Sequence, residues 1–251
     1  SKYEALLKNE EAGKYYRLMV SCVKEVLSDP GKFCPAYNPK EGLELSGFVW
    51  FQGWNDLVDN KAYPNVDKEG RFNLYSKLLG DFVRDVRKEF SAPKMPFVVG
   101  VMGVDGTVDD VKDDRGGVSK VDFREAMAAP ATWPEFKGNV FPVRTGQFWD
   151  FDIAHLDRIN LKHIRRLRSE FEKLKGHPRD LHPSERKAHW KDHTLYIQKN
   201  LAKLLEKELP GKDAMKIVTA RSNGAYHYLG SGKMIGQIGE AFGKAMPIIK
   251  N

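Results

Sequence analysis

Two segments of the sequence carry side chains suited to acyl-transfer chemistry. In the first, an apolar run ends in the turn Gly-Trp-Asn-Asp, so that Asn55 follows it closely. A side-chain amide held behind a rigid strand can donate a hydrogen bond to the oxyanion of a tetrahedral intermediate. In the second, His227 lies in a loop with glycines on both sides, and an imidazole with a pKa near neutrality suits a general base. Taken singly, the first segment also fits an ordinary turn and the second a solvated histidine.

The remaining histidines do not form a metal-binding motif. His189 and His193 have the i, i+4 spacing of ligands on a helix face, but the acid of an H-E-x-x-H motif is missing, and two ligands do not close a zinc site. The other four lack a set of partners in the sequence: His155, His163, His177 and His182. We therefore predict neither a metal nor an organic cofactor.

The strands that must position these residues follow from hydrophobic patterning. Nearly continuous apolar runs of strand length, typical of buried parallel strands, occupy 46–52 and 97–102. Two shorter candidates follow at 139–143, where Pro142 favours a sheet edge, and at 216–219. Strand patterns alternate with helical ones, which predicts an α/β fold with a parallel sheet covered by helices.

Apolar residues recur at helical spacing in three stretches, 15–27, 75–90 and 234–245. Cys22 falls on the apolar stripe of the first helix and is predicted to be a buried thiol, and a bridge to Cys34 remains an open alternative. A charged region at 155–210 is predicted to be a helical insertion or lid within a single domain.

Composition narrows the class of protein. The chain has 251 residues, of which 41% are hydrophobic and 30% are charged, as expected of one folded domain rather than a disordered or membrane-spanning chain. The formal net charge is +7, but Lys and Arg alternate with acids, as between Lys203 and Glu208. This mixture favours solvated helix faces, so we predict no nucleic-acid partner and no membrane partner.

Together the two segments resemble a known family. A G-x-N-D turn after a central strand and a histidine before the last helix resemble the third and fifth sequence blocks of SGNH hydrolases. The segments FVWFQG at 48–53, PFVVG at 96–100 and YHYLGSGK at 226–233 look like the sialate O-acetylesterase, carbohydrate-esterase branch of that family. The resemblance covers 14–143 and 214–246.

The resemblance implies a fold, a reaction and a role for each site residue. The fold would be an SGNH (flavodoxin-like) parallel sheet flanked by helices, and the substrate would be an acetylated carbohydrate. Asn55 would be an oxyanion-hole donor and His227 the general base, while Gln52 and Gly53 would shape the hole. Trp54, and with it Trp50, would pack near a sugar ring, although ordinary core packing is the alternative for both. A secreted or periplasmic location is common in such a family.

Two departures from the family pattern stand out. The nucleophilic serine of a G-D-S or G-Q-S block is not found, since none of Ser21, Ser46, Ser119 and Ser231 has that context. Ser231 instead resembles a helix N-cap. The acid of a D-x-x-H motif would fall at position 224, which is Gly224, and Asp56 is expected to cap its turn.

These departures lead to two hypotheses. The chain begins at Ser1 without an initiator Met, so we expect the N-terminal strand and the nucleophile to be supplied by an upstream segment, which would act as a partner. The chain would then be part of an acetylesterase. The alternative is an inactive relative that binds a carbohydrate or a partner through the same cleft.

Overall fold

The computed structural model describes residues 13–64, 68–112, 117–209 and 211–246, and it has a three-stranded parallel sheet with helices on both faces. The strands are β1 (Phe48–Trp50), β2 (Phe97–Val101) and β3 (Val140–Arg144). The helices are α1 (Lys14–Ser28), α2 (Pro30–Phe33), α3 (Trp54–Val58), α4 (Asn73–Glu89), α5 (Val108–Val111), α6 (Gly117–Ala128), α7 (Phe151–Lys175), α8 (Pro183–Glu208), α9 (Gly211–Ala220) and α10 (Gly232–Ala245). Short 3-10 turns occupy Ala129–Thr132, Thr145–Phe148, Pro178–Asp180 and Ala225–Gly230.

The three strands confirm the predictions at 46–52, 97–102 and 139–143, although the first is shorter than its apolar run. They lie in the order β1-β2-β3, with Phe48 beside Phe97 and Val99 beside Pro142. All five residues of β2 are buried, as expected of the central strand of a parallel sheet. The carboxyl ends of the strands therefore form one rim, and β1 leads there directly to Asn55.

The two faces of β1 meet different helices because successive strand residues point to opposite sides. The Trp50 ring packs on Phe82 of α4, with ring centroids 4.6 Å apart. The Phe51 ring packs on Phe242 of α10 at 5.2 Å. Four apolar side chains of α4 are buried on their side of the sheet, and each contributes about 1.5–3 kcal/mol of burial free energy: Tyr75, Leu79, Val83 and Val86.

The two edges of the sheet differ in how they are protected. On β3, Pro142 lacks an N–H group, and Arg144 forms a two-pronged ion pair with Glu125. On β1, the residues are apolar throughout, and Val49 is 43% exposed. Among the described residues no strand pairs with the outer edge of β1. Such an edge is an open template for another strand.

Two predictions about local structure are wrong. Residues 216–219 belong to helix α9 rather than to a strand, because Ile217 and Ala214 pack at helical spacing on a cluster that includes Leu156 and Leu205. Cys22 is exposed rather than buried, because within the described residues only Val20 of α1 is buried. The two cysteines are both free, so the alternative of a bridge to Cys34 does not hold.

Helices α7 and α8 form an antiparallel pair that stands apart from the sheet. The start of α7 belongs to the main core through Ile153 and Ala154. Further along, α7 packs on α8 and α9 through a second, smaller apolar cluster. These helices agree with the helical region predicted at 155–210. No helix within the described ranges is long and apolar enough to cross a bilayer.

Candidate active site

A cavity of about 690 Å³ opens at the carboxyl rim of β1 and β2. It brings Asn55 and His227 together, although they lie far apart in the sequence. The remaining predicted site residues, Gln52, Gly53 and Trp54, line the same cavity. The rest of the lining is mostly apolar, as is common for ligand sites: Phe51, Gly100, Met102, Met127, Tyr226, Tyr228 and Ile235.

One wall of the cavity is the turn between β1 and α3, which we call the Asn55 wall (residues 51–56). At its centre Gly53 has a φ of +158°, which residues with a side chain rarely adopt. A Cβ atom there would lie 2.9 Å from the Phe123 ring and 3.3 Å from the Met127 Cε atom. Glycine at this position therefore lets helix α6 pack directly under the turn that presents Asn55.

Hydrogen bonds fix the two ends of the Asn55 wall. The Gln52 side-chain amide donates to Asp56 at 2.9 Å, and the Tyr63 hydroxyl donates to the other oxygen of the same carboxylate at 3.1 Å. Burial, followed by the neighbouring Asp56 carboxylate, raises the pKa of Tyr63, so this hydroxyl stays a neutral donor. The Tyr75 hydroxyl donates to the Gln52 carbonyl at 3.2 Å. Asp56 thus braces the turn through side chains, whereas the predicted cap, in which its carboxylate accepts from a backbone N–H group, is not seen within the described residues.

Phe51 is the first residue of the Asn55 wall and lies on the sheet. Its ring lies against Gly100 of β2, where a Cβ atom would come within 2.4 Å of the ring. It also contacts Tyr228, with ring centroids 5.5 Å apart. A larger residue at Gly100 would displace this ring and change the cavity.

The opposite wall is the loop at 222–230, which we call the His227 wall. Here Tyr228 and Leu229 have φ values of +52° and +57°, in the left-handed region that costs an ordinary residue about 1–3 kcal/mol. The backbone closes on itself, because the Leu229 carbonyl accepts from the N–H groups of Ser222 and Asn223. The unusual backbone is what lets Tyr228 turn inward while His227 faces the cavity.

The Tyr228 side chain anchors the His227 wall to the sheet. Its hydroxyl accepts a hydrogen bond from the Gly103 N–H at 2.7 Å, at the end of β2. It also bonds the Thr145 hydroxyl at 2.5 Å, and Thr145 donates in turn to the Val101 carbonyl at 2.8 Å. Tyr228 is only 4% exposed, and burial raises its pKa despite these bonds. A neutral phenol therefore ties the loop to the ends of β2 and β3.

The two side chains with catalytic potential form no hydrogen bonds within the described residues. Neither the Asn55 amide nor the His227 imidazole has a hydrogen-bond partner among the described residues, and both residues are exposed to the cavity. The Gly224 carbonyl accepts from the His227 and Leu229 N–H groups, so position 224 shapes the loop but supplies no acid. No carboxylate orients this imidazole within the described ranges.

Aromatic rings border the opening of the cavity. Trp54 and Tyr226 lie with ring centroids 5.8 Å apart, and Tyr226 is 45% exposed. The Tyr226 ring also contacts His227 at 4.4 Å. Trp50 is not part of the lining, because its ring packs on α4 instead. Of the two tryptophans predicted near a sugar ring, only Trp54 is in the cavity.

The described serines do not line the cavity. Ser231 is 1% exposed and accepts from the Met234 N–H, as expected of an N-cap. Ser119 is buried on α6 and accepts from Arg71, a helical setting rather than the loop expected from the sequence. No serine of the described segments lines the cavity.

The histidines outside the site have structural settings. His189 and His193 are buried against Phe171, with ring centroids at 5.2 and 5.4 Å. The His163 Nε2 atom lies 2.6 Å from a carboxylate oxygen of Glu208. Within the described part of the chain, no group of three or more His, Cys, Asp or Glu side chains could hold a metal ion.

Sequence reasoning missed the two tyrosines on either side of His227. Tyr226 and Tyr228 flank the imidazole in the sequence, but nothing in the pattern shows which of them is buried. The sequence also did not indicate that Met102 and Met127 would line the cavity.

Comparison of the chain with models of protein families found no match, and comparisons with curated proteins and with solved structures found none either. The proposed function therefore depends on the geometry of the cavity rather than on a known relative.

Proposed function

We propose that this protein is a serine ester hydrolase of the SGNH type that removes acetyl groups from a carbohydrate. One observation carries the proposal: an amide, Asn55, and an imidazole, His227, line one cavity at the carboxyl rim of a parallel sheet. Ligand sites in open α/β sheets lie at this rim. Neither side chain has a hydrogen-bond partner among the described residues, so both are available to a substrate and a nucleophile.

The proposed reaction needs a serine hydroxyl beside the imidazole. The serine oxygen attacks the acetyl carbonyl while His227 accepts the hydroxyl proton, and Asn55 with backbone N–H groups of its turn donates to the oxyanion. His227 then returns the proton to the sugar oxygen as the ester C–O bond breaks. In the second half, His227 takes a proton from the attacking water, and the serine regains a proton as acetate leaves.

The open edge of β1 supports a source for this serine outside the described residues. A parallel strand added at that edge would end at the same rim as β1, beside Asn55. The apolar surface of β1, with Val49 at 43% and Phe51 at 37% exposure, suits such an addition. We propose that an N-terminal segment or a separate chain supplies the strand and the nucleophile together.

A second function is favoured by the same two absences. No serine lines the cavity among the described residues, and no carboxylate there orients His227. A non-catalytic relative would keep the cavity and its aromatic opening for binding an acetylated carbohydrate. Trp54 and Tyr226 would then contact the ligand without any reaction.

Labelling with a fluorophosphonate probe separates the two functions. The esterase takes one label on a serine, and it hydrolyses an aryl acetate. We expect His227→Ala to abolish labelling and Asn55→Ala to lower kcat about 10²–10³-fold, the usual cost of losing one oxyanion donor.

His155→Ala is the matched control, because His155 is exposed on α7 and lines no part of the cavity. Its rate should equal that of the wild type. Equal hydrolysis by wild type and by both cavity variants would overturn the esterase. A chain that takes no label yet binds an acetylated sugar would be the binding protein instead.

A further inference from the structure

The positive charge of the chain is concentrated in the region formed by helices α7, α8 and α9. Residues 151–220 contain 16 Lys and Arg against 10 Asp and Glu, whereas the rest of the chain contains 25 against 24. The expectation of evenly mixed charges therefore fails here. The excess is greatest between 165 and 191, with nine Lys and Arg against four Asp and Glu. We call this segment the hairpin tip: the end of α7, the connection and the start of α8.

The cations of the hairpin tip are exposed and mostly unpaired. Arg166 forms an ion pair of 2.8 Å with Glu170. The other eight are exposed and make no ion pair with any described residue: Arg165, Arg168, Lys173, Lys175, Arg179, Arg186, Lys187 and Lys191. Unpaired like charges repel one another, so their clustering without partners points to a polyanionic ligand.

Around the sheet, several cations have an acidic partner. Arg84 pairs with Glu135 at 2.6 Å and with Asp81 at 2.7 Å, and Lys233 pairs with Asp150 at 2.8 Å. The hairpin tip also exposes two large apolar side chains among its cations. Leu174 is 69% exposed and Trp190 is 49% exposed. A flat ring beside positive charges can lie on the face of a charged sugar unit.

The hairpin is connected to the His227 wall. Its base packs on α9, which runs directly into the loop at 222–230. Arg221, at the start of that loop, forms a buried ion pair with Asp157 of α7. Helix α7 has 25 residues, so the tip lies at most about 37 Å from the base of the hairpin. A polymer is long enough to contact the tip and the cavity at the same time.

We propose that the substrate is an acidic polysaccharide, whose carboxylate or sulfate groups bind the hairpin tip while one acetylated unit enters the cavity. This inference rests on the proposed function for its choice of a carbohydrate over other polyanions. Binding at the tip raises the local concentration of acetyl esters at the cavity without any new contact there.

Binding to polygalacturonate, a polymer of carboxylated sugars, tests the inference without any need for catalysis. The tip variant is Lys175→Gln/Lys187→Gln/Lys191→Gln, and the control is Lys77→Gln/Lys94→Gln/Lys137→Gln. All six lysines are exposed and make no ion pair with a described residue, so both variants lose the same charge. The tip variant should bind about tenfold more weakly with a shallower salt dependence, and the control should change less than about twofold.

Three binding results would overturn the inference: equal weakening in both variants, no binding of polygalacturonate, or tighter binding of a DNA duplex or of phosphatidylserine vesicles. The last two ligands would identify the tip as a nucleic-acid or membrane surface. Neutral dextran should not bind.

Hydrolysis distinguishes this inference from the proposed function. On acetylated polygalacturonate the tip variant should show a higher KM with unchanged kcat, and on p-nitrophenyl acetate it should match the wild type. Unchanged KM on the polymer would overturn the inference and leave the esterase standing. If the wild type hydrolyses no ester but still binds the polymer, the proposed esterase function is overturned and the tip remains a polysaccharide-binding surface.

Discussion

Different interactions hold the two walls of the cavity in place. The Asn55 wall is a continuation of β1, and its geometry depends on one glycine and on hydrogen bonds between residues close in sequence. The His227 wall is a loop in a left-handed conformation, held by a buried phenol that reaches the ends of two strands. A turn braced mostly by nearby residues thus faces a loop whose inward-pointing Tyr228 is held by tertiary contacts, so we expect the His227 wall to be the more fragile of the two.

Loss of the Tyr228 hydroxyl should have the largest effect on this comparison. In Tyr228→Phe the buried Gly103 N–H loses its acceptor, which costs about 1–3 kcal/mol in the free energy of unfolding. Chemical denaturation measures this cost. Tyr226→Phe is the matched control, because Tyr226 is exposed and its hydroxyl has no partner among the described residues, so it should change stability by less than about 0.5 kcal/mol. Equal effects would mean that the phenol does not anchor the loop.

A side chain at Gly230 should weaken the same wall by a somewhat smaller amount. Gly230 has a φ of +62°, and a Cβ atom there would lie 2.2 Å from the Ser222 Oγ atom. Gly230→Ala should cost about 1–2 kcal/mol, the penalty of the left-handed region. At Gly232, two residues on, a Cβ atom meets nothing within 4 Å, so thermal unfolding of Gly232→Ala should occur at or above the wild-type temperature. A neutral Gly230→Ala would show that the loop adopts another backbone conformation.

Substitutions in the Asn55 wall should lower the stability of the protein least. Asp56→Asn keeps the shape of the side chain but loses the charge that accepts from both Gln52 and Tyr63, so we expect a cost of about 0.5–1 kcal/mol. Asp109→Asn, in an exposed ion pair with Lys112, should be neutral within about 0.5 kcal/mol. If Asp56→Asn destabilises more than Tyr228→Phe, the ranking of the two walls is reversed.

The difference between the two walls also explains which parts of the site the sequence could predict. The apolar run of β1 followed by Gly53 identifies both the strand and the position of Asn55, because the signal lies within a few residues. The sequence also places His227 in a loop before the last helix. It could not indicate that Tyr228 points inward, since this depends on Gly103 and Thr145 at the ends of other strands.

The errors in secondary structure and burial have a related cause. A short apolar run such as 216–219 fits a strand or a helix equally well, and the contacts of Ile217 with a distant cluster decide for the helix. Cys22 is on an apolar stripe, but a stripe is buried only where another element covers it, and α1 packs on the core through Tyr16 and Met19, which leaves Cys22 exposed. Charge clustering in the hairpin was visible in the sequence but required counting by segment rather than over the whole chain.

The most direct test of the shared cavity is a titration followed by NMR. A methyl glycoside carrying one O-acetyl group is added to the chain while the Asn55 side-chain amide and the His227 imidazole signals are recorded, with His155 as the reference outside the cavity. If one ester occupies the space between the two walls, both signals should shift along a single saturation curve while His155 stays unchanged. Two different curves, or a shift of only one of the two signals, would contradict a common site.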